Sequence, residues 1–196
     1  MTKNAQSLGA ILLAAGGSSR LGRPKQLELI EGQPLVVRQA RLLLGLQPAC
    51  VVVVTGAVEP EVRQALNSLP VEFAHHADWP QGMGSSIARG IEAMPERVRG
   101  ALLLLCDQWR VDQADLEKLL AAWQAVPQKA IVSMWDGHSG PPVIFPRSLF
   151  QRLMRLQGDH GASRLLKRYA GGVELVALAH AAFDLDLPGQ GPDSIS

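Results

Sequence analysis

Arg20 and Lys25, two cations on a loop of small residues, are the first side chains in this sequence whose types and spacing point to chemistry. They follow Gly16-Gly17-Ser18-Ser19, where small side chains leave backbone N–H groups open and let a ligand come close. Gly22 and Pro24 shape the turn between the two cations. An N–H-rich loop carrying an Arg and a Lys is suited to holding a polyphosphate. It is not a P-loop, because Gly22 is followed by Arg23-Pro24-Lys25 rather than by Gly-Lys-Ser/Thr. A Gly-x-Gly-x-x-Gly is also missing: Gly82-Met83-Gly84 comes nearest, with Ile87 at the third glycine position.

A carboxylate to go with those cations stands at Asp107, directly after the apolar run 101–106. Mg²⁺ on a triphosphate takes one or two carboxylates and completes its octahedron with phosphate oxygens and water. Read without the loop, Asp107 would cap the helix that starts near Asp112 or close a turn; the phosphate loop favours the metal role. Gly82-Met83-Gly84-Ser85-Ser86 precedes a helical pattern, so Ser85 or Ser86 is expected to cap the helix while its N–H groups face a ligand. Gly158-Asp159-x-Gly161-Ala162 is a second loop of this kind, placed to bind a second substrate or to cap the helix after it. His75, His76, His138 and His160 lack metal-site spacing and read as loop or packing residues. Trp109 and Trp135 are the two tryptophans expected near the cleft.

These groups need a scaffold that brings distant loops to one edge. Strand patterns at 9–14, 50–55, 71–74 and 101–105 alternate with helical patterns at 34–44, 59–66, 85–94 and from Asp112 to about Trp123. This alternation predicts an α/β domain with a mainly parallel sheet, helices on both faces and ligands at the carboxyl ends of the strands. Residues 130–134 and 143–145 read as strands joined by a turn-rich loop over 135–142. Helices at 147–156 and 162–169 and strands at 173–177 and 183–186 complete the pattern. No repeat or linker appears, so residues 1–196 read as one domain with frayed ends at about 1–7 and 189–196.

Bulk properties narrow the functional classes. A formal net charge of +1 argues against a general nucleic-acid-binding surface, and no apolar run reaches the ~18 residues of a membrane span. The polar start lacks the character of a signal peptide, and Cys50 and Cys106 read as reduced, buried thiols of a cytoplasmic protein.

Taken in order, these pieces resemble the molybdenum cofactor nucleotidyltransferases, most closely the molybdopterin cytidylyltransferase branch. The resemblance rests on Leu13-Ala14-Ala15-Gly16-x-Ser18-x-Arg20-x-Gly22-x-x-Lys25 and Trp79-x-x-Gly82-Met83-x-Ser85-Ser86. It continues through Asp107-Gln108, Gly140-x-Pro142-Val143-x-Phe145, Gly158-Asp159-x-Gly161-Ala162 and Asp184-x-Asp186-x-Pro188. It implies a three-layer α/β/α, Rossmann-like fold whose mostly parallel sheet includes an antiparallel strand. It also implies Mg²⁺-dependent transfer of CMP from CTP to the terminal phosphate of molybdopterin, with release of pyrophosphate. By position, Leu13, Ala14, Ala15, Gly16, Gly17, Ser18, Gly82, Ser85 and Ser86 would bind the nucleotide, and Arg20 and Lys25 would neutralise its triphosphate. Asp107 and Asp186 (or Asp184) would hold the metal, while Gly140, Asp159 and Gly161 would meet the acceptor. A recipient molybdoenzyme or its chaperone is the partner the resemblance implies.

The branch usually has Pro after Asp-Gln; Trp109 stands there in this chain and is expected to alter the cleft beside the metal. The usual Thr and acidic pair after the last Asp is replaced by Leu187-Pro188-Gly189-Gln190. Ala15 and Asp107-Gln108 lean towards CTP. The alternatives are a guanylyltransferase, another phosphate-acceptor cytidylyltransferase, or a non-catalytic carrier of the cofactor.

Overall fold

The computed structural model describes residues 7–17, 22–158 and 161–183. Its strands are β1 (Leu8–Ala14), β2 (Leu29–Ile30), β3 (Gln33–Pro34), β4 (Cys50–Thr55), β5 (Glu72–His75), β6 (Gly100–Leu105), β7 (Ala130–Trp135), β8 (His138–Pro146) and β9 (Val173–Ala177). Seven of them form one sheet in the order β5-β4-β1-β6-β8-β7-β9, and β2 pairs with β3 in a small separate ribbon. β5, β4, β1 and β6 run parallel, as do β7 and β9; β8 is antiparallel to both of its neighbours. The helices are α1 (Leu35–Gly45), α2 (Glu59–Ala65), α3 (Met83–Glu92), α4 (Gln113–Ala125), α5 (Phe150–Leu153) and α6 (Ser163–Lys167).

The apolar runs of β1, β4 and β6 are continuous rather than alternating because both faces of the sheet are covered, as parallel strands require. Ala10, Leu12, Val51, Val53, Leu102 and Leu104 point to one layer, where α1 contributes Leu35, Val36 and Leu43 and α4 contributes Leu116, Leu119 and Trp123. Ile11, Val52, Val54, Ala101 and Leu103 point to the other, which α3 covers with Ile87 and Ile91 and α5 with Phe150 and Leu153. Leu12, Leu102 and Leu104 are fully buried, each contributing about 1.5–3 kcal/mol from desolvation. Gly90 of α3 allows a close approach: a Cβ there would lie 2.8 Å from Ile11 Cγ2. α4 begins where expected because Asp112 and Asp115 form a reciprocal capping box.

Two expectations are corrected. Residues 135–142 are not a loop: β7 runs to Trp135 and β8 begins at His138, making a hairpin. Its prolines are accommodated at a register shift, where Val132 pairs with Val143 but Ser133 pairs with Gly140. That leaves Pro141 and Pro142 as extra residues in β8, a bulge where a missing N–H does no harm to the ladder. The helix expected over 147–156 is a 3-10 turn, Arg147–Leu149, followed by the single turn of α5. Ahead of Phe183 a 3-10 turn spans Ala179–Ala182, and the strand expected over 183–186 lies, apart from Phe183, outside the described residues. Among the described residues no helix is long and apolar enough to cross a membrane.

Parallel pairing brings the carboxyl ends of β1, β4, β5 and β6 to one edge, with Ala14 beside Thr55, Thr55 beside His75 and Leu13 beside Leu105. The functional loops leave from this edge.

Candidate active site

Lys25 opens a 3-10 turn, Lys25–Leu27, that Pro24 starts and the Leu27 N–H to Pro24 carbonyl bond closes at 3.0 Å. The turn aims the Lys25 ammonium at the Asp107 carboxylate, and the two form an ion pair through Asp107 Oδ2, both side chains being largely shielded. Residues far apart in sequence thus meet across the ends of β1 and β6. The other oxygen, Asp107 Oδ1, is buried and has no hydrogen-bond partner among the described residues. A carboxylate with one such oxygen turned inward fits a divalent cation that takes a single protein oxygen and fills its other positions from phosphate and water.

The next residue, Gln26, has its side chain buried and donates from Nε2 to the carbonyls of Ala14 at 3.0 Å and Gly16 at 2.6 Å. It therefore pins the turn after β1, fixing the direction of the backbone that a phosphate would meet. Sequence reasoning passed over this residue, although a Gln directly after the loop lysine was there to be read.

Together these groups border a cavity of about 310 Å³, also lined by Leu13, Ala14, Ala15, Gly16, Trp79, Pro80, Gly82, Met83, Ser86, Leu105 and Cys106. Trp79, rather than Trp109, is the tryptophan of the cleft. Its ring lies against Gly17 and Gly56, where added Cβ atoms would come within 2.6 and 2.8 Å of it. The side chain of Trp109 instead joins the core layer of α1 and α4, with the Arg110 guanidinium 4.9 Å from its ring centroid. Trp135 packs on that same layer. Burial pushes the Cys106 thiol up, and the adjacent Asp107 charge adds to this, so it is a protonated wall group.

The start of α3 closes the cavity on its far side. Gly82 takes φ 109°, open to glycine at little cost, and serves as the N-cap with no side-chain cap. Ser85 and Ser86 therefore sit inside the first helical turn rather than capping it. The Gly84 N–H donates to Gly158 O at 2.8 Å, and a Cβ at Gly84 would fall 2.9 Å from that oxygen. Ser85 Oγ donates to Gly82 O at 2.8 Å, so its bond with His76 Nε2, also 2.8 Å, has the imidazole as donor. Partial burial holds the His76 pKa below its ordinary value, with Arg89 and His75 adding to the effect and Asp78 opposing it. Of the two serines, Ser86 lines the cavity and Ser85 braces the turn.

Beyond Met83, which both share, lies a second cavity of about 290 Å³. β6, β7, β8 and β9 give it an apolar floor of Leu103, Val132, Val143, Phe145 and Val173, and Ser139, Ser163 and Lys167 bring polar groups to its lining. Gly140 and Gly161, read from sequence as acceptor contacts, both border it. Ser18, Arg20, Asp159, His160, Asp184 and Asp186 lie outside the described residues. His138 is exposed, its Nδ1 3.1 Å from Asp136 O.

The chain is similar to several known proteins. A match to the family described as MobA-like NTP transferase domain covers residues 10–173. The chain belongs to that family. The purine catabolism protein PucB of Bacillus subtilis is 28% identical over 184 residues, spanning 90% of this chain and 88% of that protein. A probable molybdenum cofactor guanylyltransferase of Synechococcus elongatus is 31% identical over 120 residues, 60% of this chain and 57% of that one. The crystal structure of Rv0371c from Mycobacterium tuberculosis superposes with a TM-score of 0.83 at 25% identity, covering 97% of this chain and 96% of that chain. The α/β nucleotidyltransferase-like fold of the family is thus the fold seen here, with β8 the antiparallel strand that the resemblance implied.

Proposed function

We propose that this member of the family transfers CMP from CTP to the terminal phosphate of molybdopterin, releasing pyrophosphate. The observation that carries the reading is the Lys25–Asp107 pair facing the Ala14-Ala15-Gly16 turn across one cavity, with a second cavity beginning at Met83. The first cavity holds the nucleotide and the second receives the acceptor. Ala15, on the cavity wall, supports cytosine through the resemblance already described.

A phosphomonoester is already an anion at neutral pH, so its attack on the α-phosphate needs no protein base. What opposes it is charge repulsion and misalignment. Lys25 offsets phosphate charge, and backbone groups of residues 14–16, held by Gln26, orient the triphosphate. Asp107 would hold a divalent cation, Mg²⁺ in this reading, which supplies further neutralisation of the phosphate oxygens when bound. Arg20 and Asp186 are proposed to add a second cation and a second carboxylate. The apolar lining of the acceptor cavity excludes water that would compete as the nucleophile.

Thermal unfolding with Mg²⁺ and CTP, GTP, ATP or UTP tests the nucleotide assignment, since selective binding to the native state raises Tm. CTP is expected to give the largest shift, and an equal or larger shift with GTP would reject the cytidylyl assignment. Pyrophosphate release on addition of molybdopterin then tests transfer itself.

A further inference from the structure

The geometry points to Gln108 as a positioning residue that couples the Asp107 carboxylate of the first cavity to the rim of the acceptor cavity, not as a reader of the base. This rests on the assignment of the second cavity to the acceptor. Gln108 is 2% exposed and contributes nothing to the lining of the first cavity. Its Nε2 donates to Pro141 O at 2.7 Å and to Ala181 O at 3.3 Å, and its Oε1 accepts from the Leu105 N–H at 3.4 Å. Its own carbonyl accepts from Gln39 Nε2 at 2.7 Å.

Each partner belongs to a different part of the site. Leu105 ends β6, immediately before the segment that carries Asp107. Pro141 is a lining residue of the second cavity and one of the two extra residues in β8. A bulge displaces carbonyls from the ladder, and these two find side-chain donors instead: Ser133 Oγ reaches Pro142 O at 2.6 Å and Gln108 reaches Pro141 O. Ala181 lies in the last described turn, just ahead of the residues that include Asp184 and Asp186. One carboxamide therefore sets where the acceptor wall and the C-terminal turn stand relative to Asp107. Because in-line transfer depends on that spacing, loosening it should harm acceptor capture and leave the nucleotide's own contacts in place.

The test compares the wild-type chain with Gln108→Met, which keeps the length and removes the polar contacts. Gln108→Asn, a methylene short but still an amide, is the milder second variant. Measured with Mg²⁺, CTP and molybdopterin, the acceptor KM should rise about tenfold in Gln108→Met, the factor expected from losing one or two buried hydrogen bonds. CTP affinity and the CTP-to-GTP affinity ratio should stay within twofold. Partial unfolding would lower the active fraction and so kcat, but would not move KM. Gln108→Asn should show the same split at smaller amplitude, and it decides the matter if Gln108→Met does not fold.

An unchanged acceptor KM, or a changed CTP-to-GTP ratio, would overturn the assignment. Amide hydrogen exchange reads the same coupling without turnover: exchange should quicken in residues 139–144 and 178–183 and stay unchanged in 8–14. Equal protection in both segments would refute the coupling. If the wild type transfers no nucleotide to molybdopterin, the functional proposal fails, and the exchange result alone decides the role of Gln108.

Discussion

Replacing Gln26 tests whether the turn after β1 is held from behind by a side chain. Gln26→Leu keeps the bulk of a side chain that is 1% exposed but removes the Nε2 bonds to Ala14 O and Gly16 O. Ala14 is buried, so its carbonyl is left short of a donor away from water, at a cost of about 1–3 kcal/mol. Gly16 is exposed and water can replace its donor, which adds about 1 kcal/mol. The expected destabilisation is thus about 2–4 kcal/mol. If half of it appears as lost order in residues 15–17, nucleotide affinity falls about five- to thirtyfold. Gln26→Glu should be worse at neutral pH, since a carboxylate would face the same carbonyl oxygens, and should recover as acid protonates it. Urea unfolding gives the stability, and CTP titration followed by tryptophan emission gives the affinity, Trp79 lying on the cavity wall. A folded Gln26→Leu variant with wild-type affinity, or a Gln26→Glu variant that binds better than it at pH 7, would refute the argument.

Replacing Lys25, Asp107 or His76 has three further expected outcomes. Lys25→Ala should lower kcat/KM at least about tenfold with the fold intact, as expected for losing a charged hydrogen bond to phosphate, and Asp107→Asn should remove most Mg²⁺-dependent turnover. A Mg²⁺ titration of initial rate checks both, and an Asp107→Asn enzyme with the wild-type rate and metal requirement would reject the cation site. For His76, the folded pKa lies below the unfolded one, so acid favours the unfolded state. The stability this contributes is present above about pH 6.5 and is lost as pH falls below that value. His76→Gln should flatten that part of the stability–pH curve; identical slopes for the two proteins would count against the assignment.

The parts of the fold legible in the sequence were those where local pattern and tertiary context agree. β4 was read to the residue, and β1 and β6 to within one, because short continuous apolar runs suit strands buried on both faces; β9, an edge strand with Leu175 exposed, was also read to the residue. The hairpin over 135–142 was not, since Gly140-Pro141-Pro142 carries every local sign of a break. Its strand pairing depends on Ser133 and Gln108 taking the displaced carbonyls, which are contacts between distant residues. For the site, Lys25 and Asp107 were named, but their direct pairing is a property of the sheet register. Trp109 misled for a related reason. Its place beside Asp107 in the chain suggested a place beside it in the cleft, whereas the backbone turns there, with the Trp109 N–H bonded to Asp107 O at 2.8 Å.

The reversal at β8 divides the sheet into two inheritable halves. On one side stand β5, β4, β1 and β6 with the cavity of Lys25 and Asp107; on the other stand β7 and β9, with β7 reached from β6 through α4 and turning back into β8 by a hairpin. A helical crossover must keep its length and its apolar face to pack, whereas the tip at Asp136-Gly137 is exposed and held only by its flanking strands. Lengthening or replacing that tip would leave the Lys25–Asp107 pair and the turn held by Gln26 untouched. On the proposed assignment of the second cavity to the acceptor, whose lining begins at Ser139 and Gly140 just past that tip, a lineage keeping this sheet can vary the acceptor wall at one strand end without disturbing the Lys25–Asp107 pair.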